Sequence, residues 1–362
     1  MNFSRPDNAR YINRLKVLSA LRKNDGMGRV DLSRKLGINK VSISEIVDSL
    51  IKDRLVKEKG KVFRSQGRPT IGLGLDEECG IIIVFSFQKE NVIGVSGDIR
   101  GRILRMEMFS SDGDIEEKMA SSVSRMASGK RVFGIYISKD GDMDFHSRYP
   151  VVIRRRIFSQ ARSEKELIGN GELGRTLFLE LSDEVSGLLT RDGNELVLPN
   201  IGHMRIKRGR FCKMGHEGCL EAYFSTYALK GKAQELSLTV SEKELMKEKH
   251  LLAFLYENLR VLSSASLTLS EVLDVNHIVL TGDISAMPDK FIEEINGMLD
   301  ENGAEVRVRK CDPTGKGELG GAVDSALDWF FFQTRIIDAL SPLSVLSMGT
   351  EDKEGKKKDQ EE

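Results

Sequence analysis

Apolar positions in the first 75 residues follow a helical period. Tyr11, Ile12, Leu15, Leu18 and Leu21 fall on one side of a segment from Asp7 to Lys23, with Asp7 placed to cap it. After a Gly-containing loop, Asp25-Gly-Met-Gly28, the pair Leu32 and Leu36 predicts a short helix over Val30 to Leu36. Gly37-Ile38-Asn39 reads as a turn: Gly37 suits the positive φ that ends a helix, and Asn39 can cap the next one. That next helix, Lys40 to Arg54, carries an apolar face of Val41, Ile43, Ile46, Val47, Leu50 and Ile51. Two short strands, Leu55–Lys59 and Lys61–Arg64, then follow around Gly60.

Downstream the period changes. Gly80 to Phe87 is an unbroken apolar, β-branched run, the pattern of a strand buried on both faces. Asn91–Asp98, Arg102–Phe109, Val132–Ser138, Leu177–Leu181, His277–Leu280 and Glu305–Arg309 predict further strands. Ile115–Ala127, Glu184–Thr190, Pro288–Leu299 and Gly320–Phe330 predict helices, and Glu242–Leu273 one helix or two, leucine-rich enough for core or dimer packing. Strands mixed with helices in this way predict an α/β body. Gln333 to Leu346 reads as an amphipathic helix, and the charged tail from Gly349 to Glu362 as disordered. The expected division is a module over 1–75, a body over 76–332 and a C-terminal extension over 333–362.

Charge sharpens this division. The formal net charge is +0, yet residues 1–75 carry 17 Lys/Arg against 7 Asp/Glu, leaving 38 against 48 for the rest. A basic module ahead of an acidic body suits a nucleic-acid binder joined to a sensing or assembly domain. Short helix, Gly turn and capped helix is helix-turn-helix spacing, and the strands after it form the wing of a winged helix. The second helix presents Lys40, Ser42, Ser44 and Glu45 near its N-terminus. Serine hydroxyls can bond bases or phosphates, and Lys40 suits phosphate. The wing continues through Arg64-Ser-Gln-Gly-Arg-Pro69, where Arg68 either enters a narrow minor groove or belongs to a linker begun by Gly67 and Pro69. The expected partner is double-stranded operator DNA, read by a homodimer at a pseudo-palindromic site. Four scattered cysteines do not make a disulfide scaffold, and no signal-type start or bilayer-length apolar run is present, which predicts a cytoplasmic protein with reduced thiols.

The candidate chemistry gathers between Asn200 and Glu221. Ile201-Gly-His203, Cys212, Gly215 and Gly218-Cys-Leu-Glu221 stand there in order, ahead of Ile278-Val-Leu-Thr-Gly282 and Leu319-Gly-Gly-Ala322. Together with Gly37-Ile-Asn-Lys-Val-Ser-Ile-Ser44 and Ser65-Gln-Gly-Arg-Pro69, they resemble the ROK family of sugar-responsive repressors and sugar kinases, over nearly the whole chain to about Phe330. The resemblance implies a winged helix-turn-helix followed by a two-lobed actin-like (ribonuclease H-like) body, assembled as a dimer or larger. It also implies regulation of carbohydrate genes in response to a sugar or sugar derivative.

Several positions depart from the family pattern. Family kinases open the body with a phosphate loop, Asp-x-Gly-Gly-Thr, but Ile83-Val-Phe-Ser-Phe-Gln88 has no glycine and no acid. Ser182-Asp-Glu-Val185 resembles the family's Asn-Asp-x-Asn, with Asp183 either a vestigial general base or the cap of the helix expected after it. Arg191 to Pro199 runs almost directly into Gly202-His203, so a second phosphate turn is missing and the body reads as truncated. No ATP and no enzymatic activity are therefore expected. The alternative is a ROK sugar kinase with an added DNA-binding domain.

The family's zinc site, a histidine with Cys-x-Cys-x4-Cys, maps to His203, Cys212, Met214 and Cys219. Met214 puts a thioether where a thiolate should be, and His216 is off the family spacing. Two readings stay open, a zinc site and a metal-free loop whose cysteines pack as small apolar groups. The resemblance also implies a sugar site of Asn200, His203 and Glu221, weakened because Asn200 replaces a carboxylate.

Overall fold

Three helices come first: α1 (Pro6–Lys23), α2 (Arg29–Leu36) and α3 (Lys40–Lys52). The computed structural model describes residues 6–62, 70–88, 90–167, 175–191, 194–241, 244–311 and 316–332. Because α1 already includes Asp7, that residue lies inside the helix and is not its cap. Helix α2 stops at Gly37, whose φ of 65° is a left-handed conformation that a side chain would strain. Asn39 then starts α3, its side-chain oxygen accepting a hydrogen bond from the Ser42 N–H at 2.8 Å. Leu32, Ile43, Ile46, Val47 and Leu50 pack with Leu18 and Leu21 of α1. Val41 does not join them. It lies two residues from Ile43, about 200° round the helix, and faces outward, 70% exposed.

Strands β1 (Val56–Val62) and β2 (Thr70–Leu75) pair antiparallel, from Val56 opposite Leu75 to Val62 opposite Thr70. Gly60, expected at a turn between two short strands, instead sits at an irregularity within one long strand, with φ 94°. The connection between the strands, with Arg64 and Arg68, lies outside the described residues.

Two five-stranded sheets follow. The first contains β3 (Ile81–Phe87), β4 (Asn91–Gly97), β5 (Ile103–Ser110), β6 (Val132–Ser138) and β7 (Val151–Arg154). Helix α4 (Ile115–Ala127) packs Met119, Val123 and Met126 onto Ile83 and Phe85 of this sheet, and α5 (Arg156–Leu167) leaves it. The second contains β8 (Arg175–Leu181), β9 (Val185–Arg191), β10 (Asn194–Leu198), β11 (His277–Thr281) and β12 (Arg307–Lys310). Its helices are α6 (Thr226–Glu235), α7 (Lys249–Glu257), α8 (Leu259–Leu273) and α9 (Asp289–Glu301), and α10 (Lys316–Leu327) closes the described chain with a π-helical turn over Asp328–Phe332. The strand orders are β5-β4-β3-β6-β7 and β10-β9-β8-β11-β12. Each sheet is thus an antiparallel meander extended by parallel strands on its first member, the same plan used twice.

Of residues 184–190, expected as a helix, Glu184 lies in a turn and 185–190 belong to β9. Val185 and Leu188 are buried there, and the strand pairs with β8 across a tight turn at Ser182–Glu184. Asp183 sits on that turn and caps no helix. The 242–273 region is two helices that break at the buried Asn258, whose side chain donates to the Phe254 carbonyl at 2.8 Å.

The sheets are joined by α5 against α10. At Gly321 a side chain is excluded, since a Cβ would stand 2.8 Å from the Ser163 nitrogen and 2.9 Å from the Ser159 carbonyl carbon. On its other side α10 packs Ala322, Val323, Ala326 and Leu327 into a core shared with Val84 and Val95 of the first sheet and with Val17, Leu18, Leu21, Leu73 and Leu75. Arg22 of α1 pairs with Asp324 and lies 4.5 Å from the Phe332 ring centre. The N-terminal helices are therefore anchored on the body by apolar packing and an ion pair. No helix of the described residues is long and apolar enough to cross a membrane.

Candidate functional site

Two regions concentrate side chains able to bind a partner. The first is the N-terminal end of α3. Lys40 is exposed there, with Ser42 and Ser44 partly exposed beside it. Several cations of this unit are tied up: Arg14 with Asp53, Arg29 with Asp48, Lys57 with Glu77 and Lys59 with Asp25. Arg34 and Lys35, in the last turn of α2, and Lys40 have no ion pair among the described residues. The first turn of α3 holds no acidic residue. A positive N-terminus disfavours Lys40 on helix-dipole grounds, whereas α4 places Glu116 and Glu117 in its first turn as the dipole prefers. The turn between the helices is braced by Ser33, whose hydroxyl donates to the Ile38 carbonyl at 2.6 Å.

The second region is a small hairpin from Arg205 to Cys219, marked by bridges between Arg205 and Cys219 and between Phe211 and Glu217. At its tip the Cys212 N–H donates to the His216 carbonyl at 3.0 Å, and Gly215 takes φ 76°. This turn brings Cys212 and His216 to the same side and leaves Met214 outside, 68% exposed. His203, Cys212, His216 and Cys219 each offer one donor atom, and all four lie within 4.8 Å of one another. The Cys212 Sγ is 3.7 Å from His203 Nδ1, and the Cys219 thiol donates to the His203 carbonyl at 3.5 Å. Cys212 and Cys219 are buried free thiols. Burial, reinforced by the Cys212 thiol alongside, pushes Cys219 up to about 11. Tetrahedral zinc needs neighbouring donors about 3.3–3.8 Å apart, so a small contraction of this set would fit it. In sequence His216 is close enough to substitute for Met214 but is off the family spacing. A tight turn places residues four apart side by side, and Gly215 was the signal for it.

Asn200 is exposed, and the His203 ring stacks edge-on to His216, with ring centres 5.2 Å apart. Glu221 is 2% exposed; its Oε2 accepts from the Val185 N–H at 3.1 Å, while Oε1 has no hydrogen-bond partner among the described residues. Asp183 is a surface group bonded by Lys213 at 3.0 Å. In β3, Ile83, Val84, Phe85 and Ser86 are fully buried. Beside it the Glu318 carboxylate receives two bonds from Arg156 at 2.8 Å and one from Gln160 at 3.2 Å. Nearby, Glu180 bonds Arg155 at 2.5 Å and Ser186 at 3.1 Å. Burial, with the Asp140 charge adding to it, still pushes Glu180 up to about 7.

Residues 186–312 match the family described as ROK. The matched residues include His203, Cys212, His216, Cys219 and Glu221, while Asp183 and α1–α3 precede them. The chain is 24% identical over 278 residues to the xylose repressor of Bacillus spizizenii, covering 66% of this chain and 72% of that protein. It is 25% identical over 261 residues to the xylose repressor of Caldicellulosiruptor bescii, covering 61% of this chain and 65% of that protein, just under two thirds. Among solved structures, a ROK family transcriptional regulator described as a homologue of the Escherichia coli MLC protein superposes with a TM-score of 0.69 at 14% identity, covering 91% of this chain and 99% of that one. A ROK hexokinase from Thermus thermophilus superposes with a TM-score of 0.54 at 20% identity, covering 68% and 98%. The shared architecture is the ROK fold.

Proposed function

We propose that this protein is a sequence-specific DNA-binding transcriptional repressor of carbohydrate-related genes. Residues 1–75 act as a winged helix in which α3 enters the major groove, with Lys40 on phosphate, Ser42 and Ser44 on bases or phosphates, and Arg64 and Arg68 in the wing. The observation that carries this reading is the set of cations without an ion pair among the described residues, Arg34, Lys35 and Lys40, around a helix whose first turn holds no acidic residue. Phosphate is the partner that such a surface lacks. The names of the xylose repressors and of the MLC homologue support it.

The actin-like body, residues 76–332, serves assembly as a homodimer and sensing of a sugar or sugar derivative, and does not phosphorylate. The burial of Ile83 to Ser86 in β3 and the Glu318–Arg156 ion pair beside Ser86 support this reading. For sensing, Asn200, His203 and Glu221 are the candidate contacts, the free Glu221 Oε1 being an acceptor in need of a hydroxyl.

His203, Cys212, His216 and Cys219 would hold a structural zinc ion. When bound, zinc supplies a four-way cross-link within the hairpin and no reactive position. The chain's part is to present two buried thiols that must lose their protons on binding, and to orient His203 beside Cys212.

The test is a gel shift of the full chain on genomic fragments against excess unrelated DNA at moderate salt. A fragment retained over competitor supports the reading, and failure to select any sequence refutes it.

A further inference from the structure

Val41 faces solvent in the first turn of α3, next to Lys40 and Ser42. The fold does not use its side chain, because Ile43, Ile46, Val47 and Leu50 already fill the buried arc of the helix. Local propensity does not call for it either: a β-branched residue is a poorer helix former than alanine, and an acidic one would suit the helix dipole better. Two methyl groups thus stand in water within a cluster of otherwise charged or hydroxylated groups, with Ser44 and Glu45 one turn further along the same face.

The first residues of a helix laid in the major groove are those that meet base edges. Among the groups the four base pairs present there, only one is apolar, the 5-methyl of thymine. We infer that Val41 contacts a thymine methyl and sets a T·A preference at one position of each half-site. The inference rests on the proposed DNA-binding role of α3. It adds a residue that apolar periodicity assigned to the core and that hydrogen-bond reasoning about Lys40, Ser42 and Ser44 does not cover.

The test starts by selecting binding sites for the full chain from a random duplex library. Each thymine of the selected half-site is then replaced singly by deoxyuridine, which lacks only the 5-methyl group. One such replacement should weaken wild-type binding about fourfold, the value of one buried methyl-sized group. The Val41→Ser variant, altered at an exposed position, should bind the thymine and deoxyuridine duplexes equally. A selected site at which no deoxyuridine weakens binding, or at which the effect survives in Val41→Ser, overturns the role of Val41 and leaves DNA recognition standing. Failure to select any site overturns both.

Discussion

Adjacent glycines in α10 should respond to the same substitution with opposite signs. At Gly320 a Cβ meets nothing within 4 Å, so Gly320→Ala only removes backbone freedom from the unfolded chain. It should stabilise by about 0.5–1 kcal/mol. At Gly321 the Cβ would approach the Ser163 nitrogen to 2.8 Å and the Ser159 carbonyl carbon to 2.9 Å, and the Ser159 oxygen more closely still. These are backbone atoms of α5, which cannot rotate aside, so the two helices must separate along their whole contact. Overpacking of this kind costs about 3 kcal/mol, which for a chain of this size lowers Tm by about 4 °C. Scanning calorimetry of the two variants beside wild type is the assay. Equal melting temperatures for Gly320→Ala and Gly321→Ala would refute the close approach of α5 and α10, and with it the way the two sheets are held together.

Asn39→Ala removes the bond to the Ser42 N–H and should cost about 1 kcal/mol, read from urea unfolding. His216→Ala should lower zinc content per chain, measured by plasma emission after dialysis, whereas Met214→Ala should leave it unchanged, since the Met214 side chain is largely exposed. Glu180 should make stability depend on pH: folding favours its protonated form, so its contribution is full below the ordinary carboxyl value of 4.5, falls as pH rises and levels off above about 7. Glu180→Gln should flatten that decline, and an unchanged pH profile by chemical denaturation would contradict the assignment.

Local rules read the N-terminal unit well. Gly37 and Asn39 stand where a left-handed stop and a cap were expected, because both effects depend on a few consecutive residues. The same rules misplaced Val41, since a list of apolar residues does not say which ones the buried arc has room for. They also misassigned residues 184–190, where an apolar run of that length suits either a helix or a strand. Pairing with β8, a partner that local reasoning does not see, decided for the strand. The hairpin at Cys212–Cys219 was recognisable by its cysteines and glycines. His216 was recognisable as a possible substitute off the family spacing, and only the turn shows it beside the other three side chains. The anchoring of α1 on α10 was invisible for the same reason that β pairing was: Arg22 and Asp324 are 302 residues apart.

The central claim is that the α3 end of the molecule faces DNA, and the salt dependence of binding tests it most directly. For the duplex selected by the full chain, log K should fall linearly with log salt. Replacing Arg34, Lys35 and Lys40 singly by alanine should reduce that slope by about one unit each, with affinity weakened alike for all sequences. A slope that stays at its wild-type value in all three variants would contradict the account.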